Sequence, residues 1–551
     1  MTKAYLRRNK IIVALANRLK NHLLIALTTK HPYDVALHIL LSIVVALISL
    51  PLTCILEFLG VTLSPWIKLA LLPIILIPVV MLLYYTKIGK FIRAIKSERE
   101  LPFIVHYLYM AAAAGIAPSR ALYRVKDLIS FKWFKREIGQ VIKIRILYAL
   151  NPLDAIIYHF RYHPSQLVSK VITSVIGSER GGSDICSILK EKTEMLFKLL
   201  EEKINTIPSK YSLISSLEVL AFIVVPISIL GVGSVFALLD MNVLVIYGIL
   251  LPIMFAIVIS LSIDTLIPKE LYTTPDYKLI IVSALLSTVV FIITMLLKLT
   301  PLHIGVSLSL TLPFIPSAIF YNIRVLREYS VIPELPRIAR DITEEIKKGK
   351  SPLQALKTIL MMHHYPSSIA KVLRELAVCL SLGISIKHFI REKKPPRIIS
   401  YFLELLNEAE GMGADPKVFE TLTNIYSRIG DIYSSLTSKS RVFRIGGYIS
   451  TVVMAISVTL TLNTIISLIS KVYANPLTIQ LPLFSPFSHV NLILIEELTK
   501  TSILLNSFLL GLLGGKGSSG SLVYGVLDAI ICTLLSICVI SFTPTLINLV
   551  I

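Results

Sequence analysis

The chain has 551 residues, 54% of them hydrophobic, a mean hydropathy of +0.75 and a formal net charge of +21. Soluble globular proteins are far less apolar, so much of this chain must have lipid as its solvent. In a soluble protein so much positive charge would point to nucleic acid; here the charge is gathered between apolar runs, which ties it to membrane topology instead.

Residues 1–34 are basic, with Lys3, Arg7, Arg8, Lys10, Arg18, Lys20 and Lys30. They lack the single short apolar core and small-residue cleavage site of a signal peptide. Within them, residues 11–29 have the pattern of an interfacial amphipathic helix, with a frayed tail as the alternative. Nine apolar runs follow, each roughly the 18 to 25 residues that a helix needs to cross about 30 Å of hydrocarbon. They lie at about 35–58, 67–85, 213–239, 243–267, 278–296, 303–321, 446–470, 492–513 and 521–549. Polar stretches too long to be connectors separate the second run from the third and the sixth from the seventh.

The expected organisation is all-α and polytopic. Residues 1–34 form a basic cytoplasmic segment, 35–85 transmembrane helices 1 and 2, and 86–212 a first cytoplasmic helical domain. Residues 213–321 then hold transmembrane helices 3 to 6, 322–445 a second cytoplasmic helical domain, and 446–551 transmembrane helices 7 to 9. About twenty Lys and Arg fall in each large polar stretch, and the loops near residues 60 and 300 have few. By the positive-inside rule the amino terminus and both large domains face the cytoplasm, and nine crossings leave the carboxyl terminus outside.

The five cysteines, Cys54, Cys186, Cys379, Cys532 and Cys538, are odd in number and scattered, and read as small apolar residues. The adjacent pair His363-His364 points in two directions on a helix and has no acidic or Cys partner at ligand spacing, so no metal is expected.

An internal repeat carries the most information. Leu101-Pro102-Phe103-Ile104 opens a segment that runs to Gly115-Ile116-Ala117-Pro118-Ser119-Arg120-Ala121-Leu122. Leu335-Pro336-Arg337-Ile338 opens one that runs to Gly349-Lys350-Ser351-Pro352-Leu353-Gln354-Ala355-Leu356. Seven of the twenty-two positions are identical without a gap, and further on Pro164, Ser169, Gly182 and Asp184 fall on Pro395, Ser400, Gly413 and Asp415.

The shared residues punctuate a helical hairpin. Pro102 and Pro336 are expected to start a helix, where a proline sacrifices no hydrogen bond, and Gly115 and Gly349 to end it in the left-handed conformation. Ser351 and Gln354 make a capping box for the next helix, with Pro352 in its first turn; Ala117-Pro118 opens the equivalent helix with a weaker cap. Gly181-Gly182 and Gly411-Met412-Gly413 are expected to break a later pair of helices. Each domain then reads as a bundle of about six helices.

Taken together, these residues resemble the F-domain family of type II secretion and type IV pilus machines, the inner-membrane platform proteins. The Leu-Pro start, the mid-hairpin Gly, the following Ala-Leu and the later Gly-rich turn each occur twice, between about 97 and 470. Nine crossings exceed the three typical of bacterial platforms and look more like the archaeal branch, the assembly proteins J of the archaellum and of type IV-like pili. Gly511-Leu512-Leu513-Gly514-Gly515-Lys516-Gly517-Ser518-Ser519-Gly520 is also similar to the carboxyl-terminal end of that branch.

The resemblance implies a non-enzymatic platform without a cofactor. It would be a homodimer in the plasma membrane that binds a hexameric secretion ATPase and passes motion to pilin- or archaellin-like subunits. It does not choose among archaellum, adhesion pilus and other secretion filaments. Basic residues in reach of an acidic ATPase face are then Lys132, Lys135 and Arg136, Lys347, Lys348 and Lys350, and Lys393, Lys394 and Arg397. Attraction to anionic lipid predicts much the same charges.

Other classes fit less well. Gly514-Gly515-Lys516-Gly517-Ser518 misses the phosphate-loop pattern and reads as a flexible cytoplasmic turn. Gly411-Met412-Gly413-Ala414-Asp415 is one residue from the Gly-x-Gly-Asp of prepilin peptidases, but no second carboxylate motif stands at the membrane. A secondary transporter or channel is the stronger rival. It would draw on Asp528, an acid about two turns into the last apolar run, whose plainer reading is a carboxylate near the cytoplasmic interface, reached by water or paired with Lys516. Glu218, Asp240 and Asp264 lie close to run ends and need no special role.

Overall fold

A computed structural model describes residues 85–229, 246–266, 277–296, 301–329, 332–362, 367–393, 395–413, 416–474 and 492–550. Residues 1–34, the first apolar run and all but the end of the second lie outside the described residues, as do His363, His364, Lys394, Asp240 and Asp415. Every regular element among the described residues is helical. The chain divides into two compact units: residues up to Lys198 with Leu403–Val418, and Leu199–Phe402 with Phe419–Ile551.

In the first unit, helix α1 (Tyr85–Ala113) is the axis. From Leu101 to Ala111 nearly every side chain is buried and all but His106 are apolar or aromatic, the pattern of a helix enclosed by others over that stretch. Around it pack α2 (Pro118–Arg124), α3 (Lys132–Leu147), α4 (Pro152–Arg161) and α5 (Gln166–Gly181), followed by α6 (Ile185–Asn205). Phe134 stacks on Phe160, and Phe103 meets Phe197 edge to face.

Pro102 sits inside α1, not at the start of a helix as the Leu-Pro signal implies. A proline removes one backbone bond and in water would end the helix. Here the turns upstream are held by tertiary contacts: Arg93 is clamped on Glu137, and Glu100 accepts hydrogen bonds from the amides of Trp133 and Phe134. Burial and pairing outweigh the local stop. Gly115 does close the helix, at φ +76°, and Ile116 N–H reaches back to the carbonyl of Ala111 at 2.8 Å in a six-to-one closure.

The weak cap foreseen at Ala117-Pro118 is replaced from elsewhere. The Ser119 amide and hydroxyl donate to the two oxygens of Glu179 on α5, at 2.8 and 2.5 Å. A carboxylate there also suits the positive end of the helix dipole. Gly182, at φ +70°, ends α5. The first unit also takes in Leu403–Val418, from what sequence assigns to the second polar stretch: Ile129 and Ser130 N–H donate to the buried Glu404 at 2.6 and 2.8 Å.

The second unit contains α7 (Ile207–Val219) and the apolar helices α8 (Leu251–Leu266), α9 (Lys278–Leu296), α10 (Leu302–Thr311) and α11 (Ile315–Tyr329). Its polar part runs through α12 (Leu335–Lys347), α13 (Pro352–Met362), α14 (Ser367–Ser381) and α15 (Ile386–Lys393) to α16 (Arg397–Met412), whose residues from Leu403 on belong to the first unit. Helix α12 buries Leu335, Ile338, Ala339, Ile342 and Ile346, the spacing of an amphipathic helix. Gly349 ends it at φ +90° with the same six-to-one closure, Lys350 N–H to the Glu345 carbonyl. Ser351 and Gln354 make the reciprocal capping bonds, both at 3.4 Å. Gly413, at φ +63°, follows α16.

Helix α17 (Pro416–Ala474) then runs 59 residues without a break, roughly 90 Å at the helical rise. It begins polar and ends apolar. The hairpin of α18 (Leu492–Ser519) and α19 (Val526–Val550) completes the unit, with α18 packed against α8, α10 and α19.

Five described helical stretches are long and apolar enough to cross a bilayer: Ile185–Ile229, Leu302–Arg324, Pro416–Ser467, Ile495–Ser519 and Leu522–Thr543. Gly248–Asp264 and Lys278–Thr294 are apolar but shorter. Several of these helices face outward with apolar side chains, among them Leu285, Val289, Ile292 and Leu296 on α9. Such a surface suits hydrocarbon and would aggregate in water.

Candidate functional site: basic helix ends and a charged seam among apolar helices

The basic residues singled out from sequence fall into two physical kinds. On α3, Lys132 and Lys135 are exposed, and Arg136 lies over the Trp133 ring at 4.6 Å, with Lys96 over the same ring at 4.8 Å. Two cations thus flank one aromatic ring, a favourable cation–π arrangement. In the second unit the lysines are already engaged. Lys347 pairs with Glu420 at 2.6 Å, Lys348 and Lys350 share Glu345 at 2.5 and 2.6 Å, and Lys393 pairs with Glu375 at 2.9 Å. Hydrogen bonds from Lys348 and Lys350 hold the Glu345 carboxyl down at about 2, and Glu375 raises Lys393. Arg397, at the start of α16, is half-buried. The structure thus keeps the α3 cations exposed and pairs the α12 lysines and Lys393 with glutamates.

The first unit also buries a polar cluster that sequence reasoning missed. The Arg93 guanidinium makes two bonds to Glu137, at 2.7 and 2.6 Å, and His159 Nε2 lies 2.6 Å from the same carboxylate. His163 Nε2 stands 3.4 Å away. Burial alone would raise Glu137, but its bonds with His159, His163 and Arg93 outweigh that and hold it well below the usual carboxylate range. Burial lowers His159 in spite of the carboxylate beside it. His106 is fully enclosed, neither ring nitrogen has a hydrogen-bond partner, and burial pulls it down to about 3. No sequence spacing announces this cluster, because its members come from α1, α3, α4 and the turn after α4.

Among the apolar helices, Asp528 is 3% exposed. Tyr448 on α17 donates its hydroxyl to one carboxylate oxygen, and Arg444 Nε lies 3.2 Å from the other. Of the two plain readings that sequence offers, the pairing with Lys516 does not form. Lys516 turns to α8 instead, 3.0 Å from Asp264 and donating to the Ser260 carbonyl and hydroxyl at 2.7 Å. Glycine geometry explains the divergence: a side chain at Gly511 would strike the backbone of Ala529, and one at Gly515 the backbone of Gly525. Helices α18 and α19 therefore touch along Gly511 and Gly515, and Lys516, one residue on, is rotated about 100° away.

The same packing corrects the flexible turn expected over Gly514–Ser518. That stretch is helical to Ser519, and the turn is confined to Gly520, at φ +79°, and Ser521. Glu218 on α7 is 3% exposed, with one carboxylate oxygen lacking a hydrogen-bond partner, beside a π-helical turn at Leu220–Val224.

No family model matches the sequence, and no curated protein or solved structure matches it either.

Proposed function

We propose that the chain is the integral membrane platform of a type IV filament assembly or secretion machine, an archaellum or archaeal pilus, coupling a cytoplasmic secretion ATPase to insertion of pilin-like subunits. What supports the reading is a pair of hairpin turns of like geometry. Gly115 and Gly349 both take the left-handed conformation with the same six-to-one closure, Pro118 and Pro352 both open the next helix, and Gly182 and Gly413 both end a later one. In this reading 86–212 and 322–445 are copies of one F-type fold, and the chain crosses the membrane nine times. The amino terminus and both domains face the cytoplasm, and the carboxyl terminus lies outside. The machine is a homodimeric platform on a hexameric ATPase that itself hydrolyses ATP.

Helix α17 suits a transmitting part. At its polar end Gly430 abuts the Pro336 ring and Thr423 bonds Thr343, both on α12; further along, Arg444 and Tyr448 hold Asp528 on α19. A displacement of α12 is thereby carried by one rigid helix to the apolar hairpin. A second reading, a multi-pass transporter or channel, is favoured by the Lys516–Asp264 and Arg444–Asp528 pairs among apolar helices, where buried charges often mark a pathway.

A pull-down of the detergent-solubilised chain from its native membranes separates the two. Recovery of a secretion ATPase with pilin-like proteins upholds the platform; recovery of neither, with solute flux in liposomes, upholds the transporter. Reversing charge at Arg397 and Lys394 is expected to abolish filament assembly while the protein still inserts, and normal filaments from that variant would reject the docking assignment.

A further inference from the structure

The first unit has a surface feature that the platform reading does not use. A groove of about 590 Å³ runs between α2, the start of α4 and the end of α5. Its basic wall carries Arg120 and Arg145, both exposed, and among the described residues neither has an acidic partner. Its other charges are already occupied: Asp154 faces Arg180 at 3.2 Å, and Glu179 is bound to Ser119. The Tyr123 hydroxyl donates to the Pro152 carbonyl at 3.1 Å, and Arg145 lies over the Tyr123 ring at 5.9 Å.

One turn along α4 from Asp154, an aromatic ladder begins. Tyr158 lies 5.9 Å, ring to ring, from both Tyr148 and Tyr162. Tyr148 is 62% and Tyr162 68% exposed, and the neighbouring Ile146 and Leu147 are more exposed still. Ala149, between the ladder and the groove, is the one non-glycine residue with positive φ among the described residues, at +49°. Exposed tyrosines beside unpaired arginines have the composition of a protein-binding surface, in which rigid aromatic rings supply area and arginines supply anchoring.

We propose that this groove and ladder dock an acidic segment of a partner protein, one whose carboxylates meet Arg120 and Arg145 and whose aromatic or apolar side chain lies on Tyr148, Tyr158 and Tyr162. Charge complementarity selects the occupant: two guanidiniums without carboxylates attract a net-negative chain. The concave shape favours an extended peptide segment, which can lie along it, over the flat face of a phosphate-bearing lipid surface. The inference stands on the groove alone and does not require the platform reading.

The test begins with the full-length chain in its native membranes, carrying a photo-crosslinking amino acid in place of Tyr158 or, as a control, of Lys190, which is exposed on α6 outside the groove. The adduct at 158 is mapped by mass spectrometry, and a synthetic peptide of the mapped segment is titrated by fluorescence anisotropy against the detergent-purified chain. The expected result is a net-negative segment of another protein, absent from the control. Its peptide should bind about tenfold or more weakly to the Arg120→Glu/Arg145→Glu variant and regain affinity there when its acids are exchanged for Lys. Both arginines are exposed, so folding should survive, and the charge-swapped peptide checks it directly. Adducts only to lipid, adducts to a second copy of this chain, a segment without net negative charge, or an affinity indifferent to the double reversal would each overturn the proposal.

Discussion

The two polar regions of the molecule handle charge in opposite ways. In the first, Arg93, Glu137 and His159 are taken out of water and bonded to one another, with His163 beside them. In the second, Lys347, Lys348, Lys350 and Lys393 are neutralised at the surface by Glu420, Glu345 and Glu375. A buried charge is held by geometry, since removing one partner strands the other without solvent; a surface pair has water as an alternative partner on both sides. The first region should therefore be sensitive to single substitutions and to acid, and the second indifferent to both.

The sharpest break of that comparison is Glu137→Ala. It leaves Arg93, 3% exposed, without its carboxylate, and should cost about 3 to 5 kcal/mol. Amide hydrogen exchange of the full chain in detergent is the measurement, because it reads each region separately. Faster exchange across α3 and α4, with α12 and α13 unchanged, is expected; unchanged exchange in α3 would mean that Arg93 finds another partner.

Acid comes next. His106 is held neutral by burial, down to about 3, whereas in the unfolded chain it would take up a proton near 6.5. The folded state binds fewer protons in that window, so stability is full above pH 6.5 and falls by about 1.4 kcal/mol for each unit below it. Between pH 6.5 and 4.5 the loss is about 3 kcal/mol, and the lowered His159 adds to it in the same direction. Glu345 is depressed to about 2, so its contribution starts to fall only below its ordinary value near 4.5. The first region should thus loosen over a pH range in which the second does not. His106→Leu should flatten that response, and a profile identical to the parent would show that another group carries it.

Where sequence could be read and where it could not follows the same division between local and distant causes. Gly115, Gly349, Gly182 and the Ser351–Gln354 box were legible because each acts on backbone within a few residues of itself. Pro102 was misread because its effect is decided by Arg93 and Glu100 meeting residues of α3. Glu179 capping α2, Glu404 holding Ile129 and Ser130, and Asp528 meeting Arg444 are carboxylates whose partners are far off in sequence, and spacing has no period for them. Of the candidate site, the sequence supplied the basic residue types but not which of them are already paired.

The left-handed glycines sharpen the comparison from the side of likeness. Gly115 and Gly349 have open space where a Cβ would go, so an alanine there meets no neighbour and the cost is backbone conformation alone. Gly115→Ala and Gly349→Ala should each lose about 1 to 2 kcal/mol. Equal losses, measured by the same exchange experiment at the ends of α1 and α12, are what a common hairpin requires; a large inequality would separate the two turns physically.

The smallest effect is the most useful for function. Lys347 and Glu420 are each about half exposed, so Lys347→Ala should move stability by no more than about 0.5 kcal/mol. The lysine is therefore not explained by folding. If it serves a partner, Glu420 is the resident that a partner's carboxylate has to displace, and Glu420→Ala should strengthen association where Lys347→Ala weakens it. Opposite signs in a salt-dependent binding assay with the co-purified partner identify α12 as a docking face. A parallel loss in both variants would make the pair a structural clasp, and would leave the exposed cations around Trp133 as the better site.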